Sequence, residues 1–160
     1  MSFNHFDDKG QAIMVDVSGK QLTLRTATAA ATVAMKPETL AAVLEGRAAK
    51  GDVLGVARLA GIAAAKKTPD LIPLSHPLAI HHAAIEFVTD TARGVVTVNA
   101  TVRAFERTGV EMEAMTSAAV AALTIYDMCK GADKGITIGE IRLLFKDGGK
   151  SGTWQREEEL

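Results

Sequence analysis

The sequence predicts an α+β domain in which one antiparallel sheet carries helices on one face. Three observations predict it. Strand-like and helix-like stretches interleave along the 160 residues. Two strand-like stretches, 80–89 and 94–105, flank Asp90-Thr91-Ala92-Arg93, a turn that makes them an antiparallel hairpin. The run 108–130 is apolar on nearly every side and long enough for one helix across the domain. The length fits a single core, and no linker or internal repeat divides it. The expected organisation is a polar, mobile N-terminus over 1–12, one α+β domain over 13–147, and a Gly-rich, basic and then acidic tail over 148–160.

The elements follow in order. Met14-Val15-Asp16-Val17 could pair as a short strand. The stretch 23–35, rich in Thr, Ala and Val, reads as a strand that stops before Lys36-Pro37. Pro37 suits a first helical position, opening a helix over 38–45 with Gly46 as its stop. Asp52 caps a second helix over 53–67, whose last turn carries Lys66 and Lys67, and Pro69 ends it. Pro73 and Pro77 lack amide donors, so the segment holding them is an ordered loop or edge. In the second hairpin strand Val96, Val98, Ala100 and Val102 point to one face. The long helix follows, then a last strand over 135–145.

Composition excludes several classes. The chain is 48% hydrophobic but only 4% aromatic, and its net charge of −1 offers no basic face for nucleic acid. A single cysteine, Cys129, rules out a disulfide framework and a cysteine-built zinc site within one chain, and it reads as a core thiol. Residues 1–10 hold no apolar run of the kind a secretory leader needs, and the longest apolar stretch, 118–125, is far short of a membrane span of about 20 residues. The expectation is a soluble, cytoplasmic protein.

Charges on a buried helix must be capped, paired or functional. Glu111 fits a capping box with Thr108 as its N-cap, which would account for it. Glu113 is not explained that way and is the better ligand candidate. Asp127 and Lys130, spaced i, i+3, can meet on one face. They form either a plain ion pair or a carboxylate that tunes an amine for acid–base work. Glu113 and Asp127 stand about 21 Å apart by the helical rise, too far for one small pocket. A site using both needs a second copy of the chain or a long substrate. His76, between two prolines, is a proton carrier or phosphate ligand on one reading and a satisfied structural histidine on the other. Ser75 beside it is a ligand hydroxyl or a turn residue. Adjacent His81 and His82 face opposite sides of a strand and do not make a metal site. Gly148-Gly149-Lys150-Ser151 fails as a phosphate loop, because Leu144 stands where the pattern needs glycine. Lys50-Gly51-Asp52, before a helix start, could hold an anion, with Asp52 partly neutralising it.

Together these segments closely resemble the cyclic pyranopterin monophosphate synthases of molybdenum-cofactor biosynthesis. The specific matches are 70–78, 108–114 and 122–130; weaker ones lie at 14–18, 50–53 and 148–152. The resemblance implies a ferredoxin-like plait, assembled as a homohexamer (a trimer of dimers) with active sites at the dimer interface. It implies a small-molecule substrate, a cyclised dihydro-GTP, converted to cyclic pyranopterin monophosphate with release of pyrophosphate. Carried over by motif, Asp127 and Lys130 are catalytic, and Leu74, Ser75, His76, Met112 and Glu113 contact substrate. Lys50, Arg25 and Lys146 are further candidates for the polyphosphate. No resident metal and no cofactor is required, although magnesium could accompany the triphosphate. The family often has cysteine where Ser75 stands, so no chemistry here can rely on a thiol. The competing class is a non-catalytic, oligomeric nucleotide- or pterin-binding protein on the same fold, which would have no use for a matched acid–base pair.

Overall fold

The computed structural model describes residues 5–48 and 50–157. Alternation in the sequence becomes a sheet with one apolar and one polar face. The elements are β1 (Thr23–Ala34), α1 (Pro37–Leu44), α2 (Val53–Ala65), α3 (Thr68–Leu71), β2 (Ile80–Asp90), β3 (Val95–Glu106), α4 (Glu111–Cys129), β4 (Thr137–Asp147) and β5 (Trp154–Gln155). The sheet order is β2-β3-β1-β4-β5, with every neighbour antiparallel. With helices after β1 and β3, the order of the first four strands is that of a ferredoxin-like plait, and β5 is added at one edge.

The core lies between the sheet and its helical layer. Ala27, Ala29, Ala31 and Val33 of β1 pair with Val102, Ala100, Val98 and Val96 of β3, and all eight are fully buried. On this face α4 packs against β1, β3 and β4, while α2 packs against α4 and β2. Ala114, Ala118, Ala121, Ala122 and Ile125 of α4 meet it. Short side chains on both surfaces bring the helix close to the strands. The reverse face is polar, with Thr28 and Thr101 joined by a 2.9 Å hydrogen bond.

Several expected boundaries hold and several move. The hairpin forms as read, and Gly94 closes it with a φ of +66°. Its carbonyl accepts from the Met35 amide at 2.8 Å, and a Cβ there would lie 3.0 Å from the Pro37 nitrogen. Asp52 caps α2 by accepting from the Gly55 amide at 2.8 Å. The helix stops at Ala65, and Pro69 sits in the first turn of the short α3 instead of terminating α2. The capping box is not made: Val110 is the N-cap of α4, no side chain caps it, and Glu111 is the first helical residue. Nor is α4 buried all round, since Leu123 is 57% exposed and Met112 38%. Residues 14–17 form no strand, because no neighbouring strand edge meets them. Within the expected mobile start, Phe6 and Ala12 bridge; residues 1–4 lie outside the described residues. The segment expected as a tail holds β5, which pairs with Phe145 and Lys146, and residues 158–160 are outside the description.

Two contacts fix the layers. Asp133 after α4 accepts from the amides of Lys36 and Gly135 at 2.9 and 3.0 Å, joining the α4–β4 and β1–α1 connections. The Lys36 amide hydrogen bond is the main reason its carboxyl is held below the usual range. Gly61 marks a close approach of α2 to α4, where Ser117 donates its hydroxyl to the Gly61 carbonyl at 2.9 Å. A Cβ on Gly61 would meet the Ile85 side chain and lie 2.9 Å from the Ser117 carbonyl oxygen. Gly61→Val should therefore lower stability by about 1–3 kcal/mol through overpacking. Denaturant unfolding measures this, and an unchanged midpoint would show that the helices part freely at this point.

Candidate active site

The expected site residues fall into two clusters at opposite ends of the helical layer. At the first, the rigid 73–77 loop turns back on itself, with the Ser75 amide donating to the Ile72 carbonyl at 3.0 Å. Leu74, Ser75 and His76 from this loop line a pocket of about 270 Å³ with Met112 and Glu113 from the start of α4. Five residues expected to contact one ligand are thus brought together. The pocket also takes Val15, Val17 and Lys20 from the irregular N-terminal segment, and Thr108 and Glu111 from the entry to α4.

Glu113 is the unusual group here. It is 2% exposed, and its Oε1 has no hydrogen-bond partner among the described residues. Loss of hydration raises its pKa to about 7; its own backbone amide opposes the rise and Glu111 adds to it. A carboxyl near half-ionisation at neutral pH can accept from a ligand or give it a proton.

At the second cluster, the last turn of α4 carries Asp127 and Lys130, joined at 2.6 Å. Lys50, expected beside a helix start, reaches the same group instead. It donates to the Asp127 carbonyl at 2.9 Å and to its carboxylate at 3.5 Å. Hydrogen bonding from Lys130 holds Asp127 below its ordinary pKa, and the same bond holds Lys130 above its own. Lys130 therefore keeps its proton at neutral pH and stands as a cation. Both side chains stand open, at 59% and 51% exposure.

Arg25 and Lys146 join neither cluster directly. Arg25 donates to the carbonyls of Glu106 and Arg107 at 3.2 and 3.1 Å, so part of its fork is taken up holding the end of β3. Lys146 bonds Ser151 in the Gly-rich turn. His81 and His82 are exposed, and no group of three metal-binding side chains occurs among the described residues. A groove of about 1230 Å³ on the polar sheet face, beside Asn99 and Arg142, is lined by none of these residues. Periodicity gave no sign of Val15 or Lys20 as pocket residues; only the motif match at 14–18 singled out that stretch.

A family model described as the MoaC family matches residues 14–149. The chain belongs to the MoaC family. A Geobacter sulfurreducens protein named cyclic pyranopterin monophosphate synthase is 87% identical to this family member over 99% of both chains. A Geobacter metallireducens protein of the same name is 86% identical over the same shares. One from Chloroflexus aurantiacus is 55% identical over 95% of this MoaC chain and 93% of its own.

The raised Glu113 carboxyl has a consequence for stability. Between about pH 4.5 and 7 the folded protein retains a proton that the unfolded chain releases, so stability falls as pH rises through that window. The whole effect is on the order of 3 kcal/mol. Glu113→Gln should flatten the slope and make the protein more stable than the wild type near pH 8. Unfolding curves at about pH 5 and about pH 8 check it; an unaltered slope in the variant would assign the pH dependence to other groups.

Proposed function

We propose that this chain is a lyase that converts a cyclised dihydro-GTP to cyclic pyranopterin monophosphate, releasing pyrophosphate, in molybdenum-cofactor biosynthesis. The full-length match to proteins named cyclic pyranopterin monophosphate synthase carries this reading. The two clusters supply chemistry suited to it. Rearranging a purine-derived ring takes several proton transfers, and a protonated Lys130 held by Asp127 gives the first and can recover later ones. Departure of pyrophosphate is eased by fixed cations on the developing charge. Lys50, already beside the catalytic pair, is the best placed candidate for that role; Arg25 and Lys146 are more distant ones. Leu74, Ser75, His76, Met112 and Glu113 hold the other part of the substrate. Any magnesium ion enters with the triphosphate as part of the substrate.

Asp127 and Glu113 are separated by about 21 Å along α4. One substrate reaches both clusters most simply when two subunits face each other with their helices reversed. Open catalytic groups and the exposed Leu123 on the same helix support a covering second copy. In this reading the active unit is a dimer within a homohexamer, acting in the cytoplasm.

Incubation of the protein with cyclised dihydro-GTP should yield cyclic pyranopterin monophosphate and pyrophosphate. Binding without product would instead mark a non-catalytic nucleotide- or pterin-binding protein. Lys130→Ala should reduce kcat by roughly 100-fold or more with the fold intact. Near-normal turnover in a folded variant would remove Lys130 from the chemistry. A second test concerns assembly. Glu113→Ala and Lys130→Ala subunits, each inactive, should regain activity on subunit exchange, because one of two shared sites in a mixed dimer receives neither lesion. Confirmed heterodimers without recovered activity would confine the site to one chain.

A further inference from the structure

Residues 14–18 match a family motif, and the segment 15–20 that overlaps them has no part in the chemistry above. It also has no regular secondary structure. Its order comes from four hydrogen bonds. The Ser18 amide donates to the Asp16 carboxylate at 2.8 Å, and the Lys20 amide to the Val17 carbonyl at 3.0 Å. Two further bonds tie it to the body of the protein. Arg107 Nε donates to the Lys20 carbonyl at 3.0 Å. The Val15 carbonyl lies 2.7 Å from Nε2 of His76.

The last contact settles a chemical question. A carbonyl oxygen only accepts, so Nε2 must carry the proton. While the ring is neutral, Nδ1 then keeps its lone pair as an acceptor, on a residue that lines the pocket. His76 therefore meets the ligand in a different role from the phosphate donor considered from sequence. Across the same pocket lies Glu113, whose buried Oε1 lacks a partner. An acceptor nitrogen on His76, beside a Glu113 carboxyl that accepts when ionised, favours a ligand end with N–H donors. A guanine-derived ring, with its ring N–H groups and exocyclic amine, has that character; a phosphate does not.

We propose that the Val15–Lys20 segment is a positioning element of the active site, whose Val15 carbonyl holds His76 as a hydrogen-bond acceptor for N–H donors of the substrate ring. This rests on the proposed function for the identity of the substrate, but the state of His76 does not. Val15 acts through its backbone and cannot be tested by truncating its side chain. Arg107 can be, because it anchors the far end of the segment and lies outside the pocket. Arg107→Ala should loosen the segment without removing any pocket group.

The test uses full-length protein with 13C-labelled histidine, with the His76 signal assigned by its loss in His76→Gln. At a pH above the histidine range, the wild-type Cδ2 shift should report the form protonated on Nε2. Arg107→Ala should move that shift toward the average of the two tautomers. It should also raise KM for cyclised dihydro-GTP about 5–10-fold, roughly 1–1.4 kcal/mol of lost binding, and leave kcat within about twofold. Arg107→Lys, which retains a donor, should restore both. A wild-type His76 protonated on Nδ1 overturns the proposal. So does an Arg107→Ala protein whose His76 shift and KM both match the wild type, whatever its melting temperature. A wild-type protein that does not convert cyclised dihydro-GTP would overturn the proposed function, while the histidine signal would still decide the tautomer.

Discussion

The length of α4, and the closeness with which it is held to the sheet, is the constraint that organises this protein. Its inner surface is built from Ala114, Ala118, Ala121 and Ala122, and the strands beneath it present alanine and valine. Such short side chains leave little room for the helix to slide or roll, since interiors packed to crystal-like density yield only in discrete steps. Gly61 and Ser117 add a hydrogen-bonded contact with α2 from the side. Each candidate cluster takes its acidic group from this one helix, so the separation of Glu113 from Asp127 is set by the helix and not by loop conformation.

The helix also places its two acidic groups in opposite surroundings. At the start Glu113 is buried and loses hydration, which favours its neutral form. In the last turn Asp127 lies in water between two ammonium groups, which favours its charged form. Two carboxyls on one helix thus diverge in protonation through environment alone. That divergence is how one scaffold supplies a proton-bearing group and a permanent anion at the same pH. It also explains why Lys130 is held as a cation: its partner is ionised across the whole neutral range.

Sequence pattern revealed most of the fold, for identifiable reasons. The alternation of Val96, Val98, Ala100 and Val102 could only be one face of a strand, and the hairpin turn fixed its partner. The long apolar run gave the helix but not its first residue. Thr108 looked like an N-cap because its side chain is of the right type at the right spacing, whereas the chain enters α4 later, at Val110. Exposure was misjudged on the same helix, since an apolar residue such as Leu123 says nothing about whether its own chain or another covers it. β5 was missed because two residues are too few to show a period. At the site, i, i+3 spacing exposed the Asp127–Lys130 pair, and residue type singled out Glu113 and His76. The approach of Lys50 to Asp127 spans 77 positions and leaves no local signal. The contact from Val15 to His76 is made by a backbone carbonyl, which every residue possesses, so no reading of side chains could find it.

The exposure of the Asp127–Lys130 pair bears on how assembly and chemistry are linked. In water the pair already holds Asp127 below and Lys130 above their ordinary pKa values; the same pair under a low-dielectric cover interacts several times more strongly. A second subunit laid over the end of α4 would supply that cover, and would bring its own Glu113 pocket if the helices run in opposite senses. Desolvation would then act on Lys130 against the carboxylate, lowering the affinity for a proton that Asp127 now raises. A lysine too basic to release its proton in the isolated subunit could become one that both gives and recovers protons once covered. In the proposed dimer the single chain would hold all the groups but not the dielectric in which they work, and the second subunit would be part of the catalyst.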